Sequence, residues 1–186
     1  MKVYLYEDSL ENILSEEKPI IFLAGPTIRR GSQSHLGESW RVEAIKEFER
    51  QGFDGVLIVP EFKDPDRPNE SDEYERWIPS WEFTGLCASD VNMFWIPRTK
   101  ELIGLTTNCE FGYWIGYRAP KVVYGRPADS YRNKYLDLMW EFNEMTYPIC
   151  ETLEDTVKTA ITNSAILCRI LRTRPGIKVD SPYGKF

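Results

Sequence analysis

The chain is poor in histidine and cysteine. Of its 186 residues one is histidine, His35, and four are cysteines, Cys87, Cys109, Cys150 and Cys168, with no C-x-x-C spacing among them. That argues against a Cys/His zinc site and against nucleophilic catalysis by a Ser–His or Cys–His pair. Positive charge is also short: 23 Lys and Arg stand against 29 Asp and Glu, for a net charge of −6. A nucleic-acid polymer needs a basic face that displaces counterions, so none is expected as a partner. A small phosphorylated ligand, which needs only one or two local cations, stays open. No apolar run approaches the roughly 20 residues that cross a bilayer. Glu7 and Asp8 interrupt the N-terminal segment too early for a signal peptide. The expectation is a cytoplasmic protein whose cysteines are buried free thiols. Neither G-x-G-x-x-G nor a P-loop lysine occurs. Any acid–base chemistry then falls to carboxylates.

What is present is a pattern. Hydrophobic content of 42% and charged content of 28% are ordinary for a globular chain, and the length suits one α/β domain over residues 1–186. Short apolar runs at 20–24, 56–60, 91–96, 121–124 and 147–150 read as strands buried on both faces. Helical spacing falls at 38–51, 81–89, 108–118, 130–142 and 153–172, the last opened by Thr152-x-x-Asp155. Residues 1–19 form a polar N-terminal extension with a short edge strand at 3–6, and 175–186 form a loose polar tail. Strands alternating with helices imply a Rossmann-like, flavodoxin-like five-stranded parallel sheet with helices on both faces. Right-handed crossovers place the loops at 25–37, 61–79, 97–107 and 125–130 at one edge of that sheet, where open α/β sheets bind ligands. The 61–79 loop, with its prolines and alternating charge, reads as a lid.

Two carboxylates lie where that edge is expected. Thr107 stands three residues before Glu110 at the start of an apolar helical pattern, which is the form of a capping box. Glu110 therefore reads either as a cap or as a functional acid at the ligand edge. Trp81-Glu82 opens the helix before the third strand, and Glu82 reads either as a surface acid or as the partner of Glu110. Asp90 begins that strand, lies at the opposite edge and reads as structural. Gly25, Pro26 and Thr27 form a tight turn that can approach a sugar or phosphate closely, with Arg29, Arg30 or Arg41 as anion partners. Trp81, Trp95 and Tyr113 can stack on a flat ring.

Several of these segments occur in one order: Ile21-Phe-Leu-Ala-Gly-Pro26, Ser39-Trp40-Arg41, the eight-residue spacing from Glu82 to Asp90, and Thr107-Asn-Cys-Glu-Phe-Gly112. Together they resemble the nucleoside 2-deoxyribosyltransferase superfamily, in its nucleoside 2-deoxyribosyltransferase-like branch, over about residues 20–150. The resemblance implies the same five-stranded parallel fold. It places the nucleophile at Glu110 and the general acid at Glu82, where the family more usually has Asp. A polar residue that the family carries six positions before the nucleophile is Gly104 here. A hydroxyl-bearing aromatic of its first strand is absent, Phe22 standing nearby.

The function implied is cleavage or transfer at the N-glycosidic bond of a (deoxy)nucleoside or nucleotide through a glycosyl-Glu110 intermediate, with Glu82 as acid and base. Gly25, Pro26, Thr27, Arg41, Glu61, Trp81, Trp95, Thr107 and Asn108 are the expected substrate contacts. The expected partners are that small molecule and further copies of the chain, as a homodimer or larger homo-oligomer. The alternatives are a non-catalytic module of the same fold that binds a nucleotide or an ADP-ribose-like signal, and an inert relative in which Glu110 is only a cap.

Overall fold

A computed structural model describes residues 1–28, 33–64, 72–143, 145 and 147–172 of the chain. The expected anion partners Arg29 and Arg30, part of the 61–79 loop and the 175–186 tail lie outside the described residues.

Ile20–Ala24 forms β2, the central strand, and all five residues are buried. Alternation then decides which layer each side chain meets. Ile20, Phe22 and Ala24 join Val56, Ile58, Phe94, Phe111 and Trp140 on one face of the sheet. Ile21 and Leu23 join Trp40, Ala44, Phe48, Leu57 and Val157 on the other. A strand covered on both sides must be apolar throughout, which is why period two is invisible in its sequence. The sheet has the order β1-β3-β2-β4-β5, with β1 at Lys2–Tyr4, β3 at Val56–Ile58, β4 at Val91–Trp95 and β5 at Val122–Gly125. Every pairing is parallel. α1 (Trp40–Arg50) and α5 (Leu153–Arg172) cover one face; α2 (Asp72–Ala88), α3 (Leu105–Arg118) and α4 (Lys134–Phe142) cover the other. This is the α/β, Rossmann-like, flavodoxin-like arrangement. None of the helices among the described residues is long and apolar enough to cross a membrane.

Local signals set several boundaries. Ser39 caps α1 by accepting from the Arg41 N–H at 3.2 Å. The Thr152 hydroxyl accepts from the Asp155 N–H at 3.0 Å and donates to the Asp155 carboxylate at 2.7 Å, a reciprocal cap for α5.

Three expectations change. The fifth strand is the N-terminal β1, which extends the sheet beyond β3, with Lys2 opposite Val56. The expected strand at 147–150 contributes one bridge, Gly125 to Cys150. The helix expected at 81–89 starts at Asp72 and carries Pro79 inside it. Proline removes one helical hydrogen bond, but Trp77 and Trp81 on either side of it both pack against Tyr6 and hold the two halves in line. Finally, α3 begins at Leu105, so Thr107 and Glu110 do not form a capping box. Gly104, at φ +62°, sets this start. A Cβ there would lie 2.8 Å from Pro26 Cβ, so the helix begins where the loop after β2 rests on it.

Candidate active site

The loop after β2 comes against the end of β4 because residue 25 is glycine. Its φ is +154°, and a Cβ would lie 2.2 Å from the Trp95 carbonyl oxygen and 2.8 Å from the Trp40 ring. Arg41, one residue into α1 and 1% exposed, secures that loop. Its Nε donates to Leu23 O at 3.0 Å and its Nη2 to Gly25 O at 2.9 Å. Its Nη1 donates to Thr27 Oγ1 and to Glu61 Oε1, each at 3.1 Å. The guanidinium also stacks on the Trp40 ring at 4.7 Å. Glu61 accepts in addition from the Ser39 hydroxyl, and the Trp40 Nε1–H donates to Pro26 O at 3.0 Å. Gly25, Pro26, Thr27, Arg41 and Glu61 therefore form one hydrogen-bonded unit. Arg41 spends each of its three nitrogens inside that unit, where the sequence offered it as an anion partner.

The N-terminal segment brings a group the sequence did not reveal. The Tyr6 N–H donates to Glu61 O at 3.0 Å, which ties the chain just beyond β1 to the carboxyl end of the sheet. The Tyr6 ring packs against Phe62 at 4.7 Å and Trp81 at 5.0 Å. The Trp81 Nε1–H donates to Asp8 O at 3.0 Å. Held from these sides, the buried Tyr6 hydroxyl donates to Glu82 Oε1. Nothing near residue 6 marks this role: its partner lies 76 residues away, and the family resemblance begins only near residue 20.

Glu82 on α2 and Glu110 on α3 are both partly buried. Burial raises the Glu82 carboxyl above its ordinary range, opposed by the Tyr6 hydrogen bond and by the positive charge of Arg41. Glu110 is pushed up to about 8, first by burial and then by the negative charge of Glu82, with Arg41 again opposing. Among the described residues the Glu110 carboxyl accepts no hydrogen bond. Both acids lie beyond the first turn of their helices, where the helix dipole has little hold on them. The two carboxyls are close enough for the charge of Glu82 to bear on Glu110. Burial without a hydrogen-bond donor favours the protonated form of Glu110, while the Tyr6 hydroxyl favours the ionised form of Glu82. Tyr6, between burial and Glu82, is held far above the ordinary range of a phenol.

The other expected residues are distributed differently. Thr107, 1% exposed, faces the core side of α3. Asn108 accepts from the Arg98 guanidinium on the flank away from Glu110. The Trp95 side chain joins the core on the α1 and α5 face, opposite the two acids. Tyr113 is half exposed and packs edge-on against Phe83 and Trp114. Trp81 supports Tyr6 from behind. Asp90 is structural, as expected: its Oδ2 accepts from the Ile20 N–H at 2.8 Å at the opposite edge of the sheet. A cavity of about 640 Å³ lies between residues 7–14 and α2, lined by Leu10, Ile13, Trp77, Trp81 and Phe83 among others. Neither carboxyl lines it.

Fold and site together define an open parallel α/β domain with a paired-carboxylate centre beside its carboxyl edge. No protein-family model matches the chain, and no curated protein matches it.

Proposed function

We propose that this protein breaks the N-glycosidic bond of a (deoxy)nucleoside or nucleotide, by hydrolysis or by transfer to a second base. The observation that carries the reading is the Glu82–Glu110 pair. Two partly buried acids come from helices on one face of the sheet, one of them accepts from a tyrosine hydroxyl, and burial raises both. Burying carboxyls without full compensation costs stability, and pairs whose environments hold protons differently are suited to divide acid and nucleophile roles. The sequence resemblance to the nucleoside 2-deoxyribosyltransferase superfamily supports the same reading.

In the proposed reaction a Glu110 oxygen attacks the anomeric carbon, a C–O bond forms and the C–N bond breaks. The departing base takes its proton from Glu82. Water or a second base, deprotonated by Glu82, then displaces Glu110. The chemistry calls for neither metal nor organic cofactor. This route needs Glu110 ionised and Glu82 protonated when the substrate is bound. A second reading exchanges the roles, with Glu82 attacking and Glu110 donating. The hydrogen bond from Tyr6 to Glu82 favours it, because that donor stabilises a carboxylate. The resemblance also supports a cytoplasmic homo-oligomer.

The test is incubation with a panel of nucleosides and nucleoside 5′-phosphates, with and without acceptor base, followed by peptide mass spectrometry after trapping with a slow 2-fluoro sugar substrate. Release or exchange of base and a sugar adduct on the Glu110 peptide are expected. An adduct on the Glu82 peptide establishes the exchanged roles. Binding without base release across the panel leaves the non-catalytic nucleotide-binding module as the function.

A further inference from the structure

The cavity between residues 7–14 and α2 is separate from the acid pair: Trp81 lines it, but neither Glu82 nor Glu110 does. Its volume of about 640 Å³ is that of a small-molecule site. It is also preformed. The Leu5 N–H donates to Asp8 Oδ2 at 2.8 Å, and the Trp81 Nε1–H donates to Asp8 O at 3.0 Å. The Ile13 N–H donates to Leu10 O at 3.0 Å. These bonds hold the N-terminal segment as a wall that stands off α2 instead of closing onto it. Apolar surface left facing water forgoes burial and dispersion contacts, which an occupant of matching polarity restores.

Two features define what fits. The first is an aromatic and aliphatic lining: Trp77, Trp81 and Phe83 come from α2, and Leu10, Ile13 and Leu14 from the N-terminal segment. The Trp77 and Trp81 rings lie 6.4 Å apart, tilted by 40°, and Trp77 is left 43% exposed. The second is charge of one sign. Glu7, Asp8 and Glu11 line the cavity, and no Lys, Arg or His among the described residues does. Lys63 offsets part of this charge from outside: its Nζ pairs with Asp8 at 3.0 Å, and its N–H donates to the Glu7 carboxylate at 3.1 Å. Glu11 is exposed, and its carboxylate has no partner among the described residues. The faces of the indole rings are themselves electron-rich and attract cations. A nucleotide phosphate is repelled by such a lining, so the ligand differs from the proposed substrate.

We propose that this cavity binds a small organic cation, an amine or alkylammonium group carried on an aromatic or alkyl body. The charged end lies at Glu11, the acid that no described residue neutralises. The body lies against the Trp77–Trp81 pair and the Leu10 wall, where burial of apolar area supplies the affinity. Charge supplies the selectivity. A neutral molecule of the same shape lacks the attraction of Glu11 and of the indole rings, and an anion meets the carboxylates with like charge. Trp81 is the wall shared with the acid pair, since it lines the cavity and packs against Tyr6 at 5.0 Å. The inference stands whether or not the two acids are catalytic.

The experiment is titration calorimetry on the whole chain with three probes of one shape: phenylbutylamine, phenylbutanol and phenylbutyrate. The amine is expected to bind about 10-fold more tightly than the alcohol, and the carboxylate more weakly than either. Glu11→Gln should cut the advantage of the amine by about 5-fold and leave the alcohol unchanged. Thr84→Trp fills the cavity from an exposed position of α2 and should abolish binding of both, with the fold, read by circular dichroism, retained. Cys87 lines the cavity and reports its occupancy. In the Cys109→Ser background, which removes the exposed thiol, the amine should slow the reaction of Cys87 with methyl methanethiosulfonate. Equal affinity for amine and alcohol, tighter binding of the carboxylate, or no binding of the amine overturns the proposal. So does an amine that binds but leaves both the Cys87 reaction and the Thr84→Trp variant unaffected.

Discussion

The Tyr6 hydroxyl donates to the Glu82 carboxylate across 76 residues of sequence. The bond favours the ionised form of Glu82 and so opposes the burial that raises it. Tyr6→Phe keeps the buried ring and its contacts with Phe62 and Trp81 but removes the donor. The expected result is a further rise of the Glu82 carboxyl, an alkaline shift of the pH profile of kcat/KM, and a loss of about 10- to 100-fold in kcat/KM, or ~1.4–2.7 kcal/mol. An unchanged pH profile in Tyr6→Phe would detach Tyr6 from the chemistry.

Glu110 links the site to stability. Its folded-state pKa of about 8 lies above the ordinary value of 4.5. Below the ordinary value the group is protonated in both states and costs nothing. Between that value and the folded pKa the unfolded chain releases the proton while the folded chain keeps it, so stability falls as pH rises. Glu110→Gln removes the titration without removing a cap, because α3 starts at Leu105. The variant should match the wild type near pH 4.5 and exceed it by ~2 kcal/mol near pH 8 in urea melts, while losing turnover. A variant less stable than the wild type at high pH would contradict the burial argument.

The division of labour between the two acids is read from leaving groups. Loss of a general acid matters most for a base that must be protonated to leave. Under the first role assignment, Glu82→Gln slows natural substrates by about 100-fold or more but spares one whose leaving group departs unprotonated. Glu110→Gln abolishes both. The opposite pattern assigns the acid to Glu110 and the attack to Glu82. Equal losses in both variants on both substrates would give neither residue an acid role.

Gly104 should not accept the polar side chain that the resembled family carries there. The φ of +62° and the 2.8 Å approach of an added Cβ to Pro26 Cβ oppose any side chain. Gly104→Ser is expected to lower stability by about 1–3 kcal/mol and to loosen the contact between the β2 loop and α3. A fully stable Gly104→Ser would show that the loop gives way at little cost.

The sheet was legible in the sequence because its strands are buried on both faces. Ile20–Ala24 and Val91–Trp95 have no polar face to interrupt them except Asn92, so their runs stand out against the surrounding helical periodicity. The caps Ser39 and Thr152 are local devices acting within three residues, and sequence order is enough to find them. The run at 147–150, read as a strand, contributes one bridge at Cys150, while the short edge strand read at 3–6 forms as β1 at Lys2–Tyr4. Both lie at the borders of the sheet, where pairing on one side gives a weak pattern.

Glu82 and Glu110 were found through motif order, but their relation was not. Helix starts shifted where tertiary contacts overruled local signals: Pro26 against Gly104 for α3, and the packing of Trp77 and Trp81 on Tyr6 for α2. Those shifts turned Glu110 from a capping residue into an acid in the second turn. Sequence alone determined the α/β class of the chain and marked Glu82 and Glu110 as the acids expected near one sheet edge. Only the folded structure decided that Tyr6 holds one acid, that Arg41 is spent on the β2 loop, and that burial raises both carboxyls. Each of these depends on desolvation and on charges far apart in sequence, which arise only when the elements pack and water leaves the space between them.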